Sequence, residues 1–171
     1  MLNHIETVLV SATRWMLITM LAAMSVIVFA NVVMRYTTGD TLVWADEVAR
    51  NLMMWCTFVG AGLTFRFGGH VAIDTLQQRS PELVAQALRL LVAGVIAVFC
   101  ICMAYNSLDY LAVMRFQTTP ATGIPFSYVY AAIPVGLLLV LAHLAFAVHR
   151  YVLSGQYDSS AEFDADAAAA L

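Results

Sequence analysis

An all-α integral membrane protein with four transmembrane helices is the fold class predicted by three observations. Of 171 residues, 62% are hydrophobic and only 11% charged. The mean hydropathy is +0.82. The apolar residues gather into uncharged runs bounded by arginine or aspartate rather than alternating with polar ones. A soluble domain is about 45–50% apolar and about 25% charged. A chain of about 150 residues buries only about 70% of its unfolded surface, so this much apolar area cannot hide inside one soluble domain. The same numbers exclude a disordered chain, which would be poor in apolar residues.

The first uncharged run extends from Trp15 to Met34, between Arg14 and Arg35. At 1.5 Å per residue it just crosses a hydrocarbon core of about 30 Å. It exceeds the apolar stretch of a signal peptide, and no small-residue cleavage site follows before Arg35. Residues 1–13 read as a lead-in, an interfacial turn with Ile5, Val8 and Leu9 facing lipid. The second run, Asn51 to Phe65, is too short alone and must begin near Trp44 to cross. The third covers Leu90 to Leu108. Pro81, preceded by Ser80, reads as an N-cap followed by proline at the first helical position. The fourth runs from Phe126 to Val148, and Pro134 within it predicts a kink and a freed carbonyl.

These runs divide the chain into a four-helix membrane domain, residues 1–153, and a tail, residues 154–171. The expected spans are 14–36, 44–66, 87–109 and 126–149. The tail is acidic, small-residued and expected to be disordered in the cytoplasm. Arginine counting sets the orientation. With both termini inside, Arg14, Arg66, Arg79, Arg89 and Arg150 are cytoplasmic, against Arg35, Arg50 and Arg115 outside.

The eight basic residues are all arginine and form no stripe, against eleven acids and a net charge of -3, which argues against a nucleic-acid partner. Cys56, Cys100 and Cys102 fall in apolar runs without metal-ligand spacing and read as small hydrophobes. No metal or cofactor is expected.

The second span departs most from plain hydrophobicity. Asp46 and Glu47 stand four and three residues before Arg50, so either acid is spaced to pair with it. Two readings follow: an interfacial helix start with acids at its N-terminal end and Trp44 in the aromatic belt, or a cluster that fixes the register of a partner helix. At its other end the span exits through Arg66-Phe67-Gly68-Gly69-His70 to Asp74, with His70 and Asp74 spaced i, i+4. Gly60 and Gly62 allow close helix approach without forming the three-residue-gap dimer motif. The segment Thr118 to Pro125, with Pro120 and Gly123, is an external turn.

Haem ligation needs two histidines at matching depth on facing helices. His143 lies about two turns inside the cytoplasmic end of the fourth span, at 1.5 Å per residue. His70 sits at or beyond the end of the second, His149 at a boundary and His4 outside any span. That shallow, poorly matched set leaves a haem- or quinone-binding anchor of a respiratory complex as the alternative function. A proton-coupled exporter would want a carboxylate in the first span, and Trp15 to Met34 contains none.

The run Trp44-Ala45-Asp46-Glu47-Val48-Ala49-Arg50, then Trp55 and Gly60, then Arg66 to His70 and Asp74, resembles the signature of a known family. That family is the small membrane subunit, DctQ-like, of tripartite ATP-independent periplasmic (TRAP) transporters. Pro120-Ala121-Thr122-Gly123-Ile124-Pro125, followed by Tyr130, Pro134 and Gly136, resembles its fourth-span signature. One departure is Asp46, which stands where a pair of glutamates is common.

The resemblance implies a non-catalytic subunit of the bacterial inner membrane. It would scaffold a large permease that takes up a carboxylate-bearing solute with sodium ions, the solute being delivered by a periplasmic binding protein. It also implies a partner contact through Trp44, Asp46, Glu47, Arg50, Trp55, Gly60, Arg66, His70 and Asp74, with Pro120, Gly123, Pro125 and Pro134 shaping turn and kink. The residues agree on one point: charges lie at the rims, and the middles of the first and third spans are apolar apart from serine and cysteine.

Overall fold

Nothing between residues 2 and 38 interrupts a helix, since the stretch holds neither glycine nor proline. Apolar backbone that must satisfy its own polar groups winds into helix. The computed structural model, which describes residues 2–66 and 81–154, runs α1 unbroken over Leu2–Thr37. The expected lead-in turn is therefore helix, and the expected span 14–36 is the later part of an element about 54 Å long. The helix stops at the first residue able to turn the chain, Gly39, whose φ is +77°.

The second helix, α2, covers Ala45–Arg66, about 33 Å. Helix α3 runs over Glu82–Met114, longer at both ends than the expected 87–109. Pro81 itself is the cap residue, so the cap sits one position later than the expected Ser80, with φ -55° and ψ 149°. Its carbonyl accepts the first helical bond, from Ala85 N–H at 2.9 Å, as a cap residue's carbonyl does. Ser80 lies outside the described residues.

The fourth segment is two helices, α4 over Phe126–Tyr130 and α5 over Ala132–Ser154. They part at Ala131, where the Tyr130 carbonyl faces Pro134, a residue with no N–H to offer. The expected kink is thus a short break one turn before the proline. The tail residues 155–171 lie outside the described residues, as does the 67–80 connection.

Three stretches are long and apolar enough to cross a membrane, Glu6–Thr37, Glu82–Met114 and Phe126–Phe146. The expected second span, α2, is not among them. Its first turns carry Asp46, Glu47 and Arg50, which lower its hydropathy below that of its neighbours.

The helices form an open layer in the order α1, α2, α5, α3. Leu17 of α1 packs over Gly60 of α2. Helices α2 and α5 run parallel, because Phe58 meets Gly136 and Gly62 meets Leu139 and His143. Helix α3 runs antiparallel to α5, with Ala93 beside Leu144 and Cys100 beside Leu137 and Val140. Small residues set these crossings. A methyl at Gly136 would lie 2.5 Å from the Phe58 carbonyl oxygen, and one at Gly62 would lie 3.3 Å from Leu139 backbone. Close backbone approach of this kind is the means by which helices associate where burial from water supplies no driving force. The outer sides of α1 and α3 stay uncovered, with Trp15, Val26, Phe29, Leu90, Val98 and Phe99 exposed.

Candidate functional site

A cluster of polar contacts lies at one rim, where the α1–α2 and α3–α4 connections meet. The α3–α4 connection folds back on itself. Thr119 N–H donates to the Ile124 carbonyl at 2.9 Å, Phe126 N–H to the Gln117 carbonyl at 2.9 Å, and Gly123 N–H to the Thr119 carbonyl at 3.0 Å. Gly123, with φ +69°, makes the reversal that an L side chain resists. Pro125, at φ -58°, caps α4, and Pro120 is exposed at the tip.

Glu47, in the first turn of α2, closes this loop from across the layer. Its Oε2 accepts Ala121 N–H at 2.8 Å, and its Oε1 accepts Thr122 N–H at 3.1 Å. The Thr122 hydroxyl also donates to Oε1. Because that hydroxyl has one hydrogen, the 2.7 Å contact between Thr122 and Thr119 takes its hydrogen from Thr119. Thr119 Oγ1 in turn accepts Ile124 N–H at 3.0 Å. Thr119 is only 2% exposed, so this chain of hydrogen bonds is built into the packing.

A second link ties α1 to the same rim. Asn31 Oδ1 accepts Leu42 N–H at 2.8 Å, and Asn31 Nδ2 donates to Asp46 Oδ1 at 3.3 Å. One amide thus fixes the α1–α2 connection and the start of α2.

The expected pairing of Arg50 with Asp46 or Glu47 is not formed: among the described residues Arg50 is exposed and makes no ion pair. Spacing along the helix permits the pair, but three donors on Glu47 and an amide on Asp46 outcompete it. Trp44 is 43% exposed at the rim, and Trp55 is half-buried within α2. Gly60 is part of the α1–α2 contact inside the chain. Arg66 ends α2 at the opposite end of the layer. His70 and Asp74 lie outside the described residues.

Neither periodicity nor motif spacing singles out Asn31, Thr119 or Thr122. Asn31 had a signal, being a lone amide in the uncharged run from Trp15 to Met34. The threonines read only as turn residues, because the Glu47 carboxylate that gathers them lies 75 positions from Thr122.

Of the haem candidates, His143 is fully buried against Gly62, while His70 is outside the described residues. Among the described residues no group of three or more His, Cys, Asp or Glu is arranged to hold a metal ion. A shallow apolar groove on α3 is lined by Leu91, Gly94, Val95, Val98 and Phe99. This arrangement can brace and join helices.

Residues 24–153 match the family described as tripartite ATP-independent periplasmic transporters, DctQ component. A putative TRAP transporter small permease protein of Haemophilus influenzae is 29% identical over 127 residues, 74% of this chain and 79% of that protein. The ectoine TRAP transporter small permease protein TeaB of Halomonas elongata is 26% identical over 138 residues, 79% of this chain and 72% of its own length. A sialic acid TRAP transporter permease protein, SiaT of Haemophilus influenzae, is 24% identical over 128 residues, 75% of this chain but 21% of that longer protein. With the match covering most of the chain and the rim residues falling within it, this protein belongs to the DctQ component family of TRAP transporters, whose small permease subunits are transporter components rather than enzymes.

Proposed function

We propose that this chain is the non-catalytic small membrane subunit of a TRAP transporter in a bacterial inner membrane. It braces a large permease subunit that takes up a carboxylate-bearing solute together with sodium ions. A periplasmic binding protein delivers the solute to the assembled membrane part. The observation that carries this reading is the open helix layer, in which α1 and α3 leave apolar sides uncovered. The match to about a fifth of a longer permease protein supports a permease polypeptide as the companion.

In this reading both termini are cytoplasmic and the Glu47 rim faces the periplasm, in line with the arginine count. Helix α2 crosses as a fourth span, its length of about 33 Å sufficing for the hydrocarbon core. Its polar first turns sit at the headgroup level and its flanks are covered by α1 and α5. The partner contact extends along α2 and its exit, with Trp44, Trp55, Arg66, His70 and Asp74 contributing. The family assignment does not favour a haem- or quinone-binding anchor.

The test is affinity purification of the tagged full chain from its native membrane in a mild detergent. A many-span permease is expected in the eluate. Recovery of the chain alone, in folded form, overturns the reading.

A further inference from the structure

Among the described residues Arg50 is an exposed cation that makes no ion pair. Asp46 receives Asn31, Glu47 receives the 119–124 loop, and among the described residues neither Asp40 nor Asp109 at the same rim forms an ion pair with it. It also lies six residues past Trp44, about 9 Å deeper along the helix axis. An exposed guanidinium at that depth needs an anion.

Helical side chains lean toward the N-terminus of their helix, so from this position the guanidinium reaches back to the rim and away from the membrane centre. The rim is ringed by exposed aromatic side chains, Tyr36, Trp44, Phe116 and Tyr128, the residues that mark the headgroup level of a bilayer. The anion abundant at that level is the phosphate diester of phospholipids, and the planar guanidinium fork matches its oxygens two at a time.

We propose that Arg50 binds the phosphate of an anionic phospholipid in the leaflet at the Glu47 rim, the exposed guanidinium being the site and the lipid its counter-ion. The idea rests on the membrane placement proposed above but not on the identity of the companion subunit.

Native mass spectrometry of the full chain, titrated with phosphatidylglycerol, reads the site. One retained phosphatidylglycerol is expected on the wild type, and Arg50→Gln should weaken it about tenfold, the loss of one charge-assisted contact. Arg50→Lys, which keeps the charge but not the fork, should fall between. Equal retention by wild type and Arg50→Gln overturns the proposal. A second measurement leaves Arg50 in place: a photo-crosslinker at exposed Met53, one turn away, in vesicles of phosphatidylethanolamine and phosphatidylglycerol and in native membranes. Lipid adducts are expected in both. A protein adduct in native membranes without lipid adducts makes a partner carboxylate the counter-ion and overturns the proposal while supporting the assembly reading. Lipid retention with no companion in the eluate does the opposite.

Discussion

The crossing of α2 and α5 makes Gly136→Ala the most informative substitution. A methyl at position 136 would sit 2.5 Å from the Cβ and carbonyl oxygen of Phe58 and 2.6 Å from its carbonyl carbon. Ordinary carbon contacts begin near about 3.5 Å, so the helices must part by about 1 Å along the contact. The obstacle is backbone, and no rotamer change relieves it. Overpacking of this kind costs about 1–3 kcal/mol, and here the upper half of that range applies.

The other glycines supply graded controls. Gly62→Ala meets the His143 ring edge at 2.8 Å and Leu139 backbone at 3.3 Å, so it should cost less than Gly136→Ala. Gly60→Ala meets only Leu17 methyls, at 3.7 and 3.8 Å, and Gly94→Ala meets nothing within 4 Å. Both should be neutral, or stabilising by up to about 1 kcal/mol through helix propensity. Reversible unfolding of the four variants in mixed detergent micelles, followed by circular dichroism, gives the order. If Gly136→Ala matches the wild type, or Gly94→Ala is as damaging as Gly136→Ala, the parallel α2–α5 crossing is refuted.

Three further outcomes concern the rim. Glu47→Gln places an NH2 group where one carboxylate oxygen stood, so whichever way the amide turns, either Ala121 N–H or the Thr122 donors lose their acceptor. Hydrogen exchange of the Ala121 and Thr122 amides should then speed up about tenfold, and unchanged exchange would dissolve the link. Thr119→Val keeps the shape but strands Ile124 N–H; it should lower stability by about 1–3 kcal/mol, with Thr119→Ser close to wild type in the same unfolding assay. Asn31→Ala removes the acceptor of Leu42 N–H and the donor to Asp46, and should cost about 1 kcal/mol. Limited proteolysis within the 38–44 connection should accelerate, and an unchanged cleavage rate would show that the amide does not hold it.

The helices were legible because hydrophobicity and the lack of breakers are properties of contiguous sequence. Their ends were less so. The lead-in reads as a turn on the position of Arg14, yet α1 runs through it and stops only ahead of Gly39, and α3 starts directly after Pro81. Chain breakers set these boundaries, rather than the point where a charge enters the membrane boundary. The rim divided along the same line. Trp44, Asp46, Glu47 and Arg50 were singled out by local spacing, and local spacing suggested the wrong partner. What decides Glu47 is a loop 74 positions later in the chain, a proximity that no periodicity encodes. The glycine crossing was half visible. Gly62 was noted beside Gly60, but the backbone it approaches belongs to another helix, so a motif defined within one helix could not name it.

Conduction of an organic anion through these helices would require donors aimed away from their own backbone, and several hydroxyls of the long helices are spent at home. Thr13, Thr19, Ser25, Thr57 and Thr64 each give their one hydrogen to a carbonyl four residues earlier, on Leu9, Trp15, Leu21, Met53 and Gly60. Asn106 does the same with its amide, toward Cys102. Back-bonding of this kind lets a polar side chain sit at membrane depth without a ligand, and it removes the donor row that a solute path needs. Asn31, Glu47, Thr119 and Thr122 do reach beyond their own elements, and they join one part of this chain to another at the rim. The chemistry is that of a stiffened plate, which supports the bracing role proposed above.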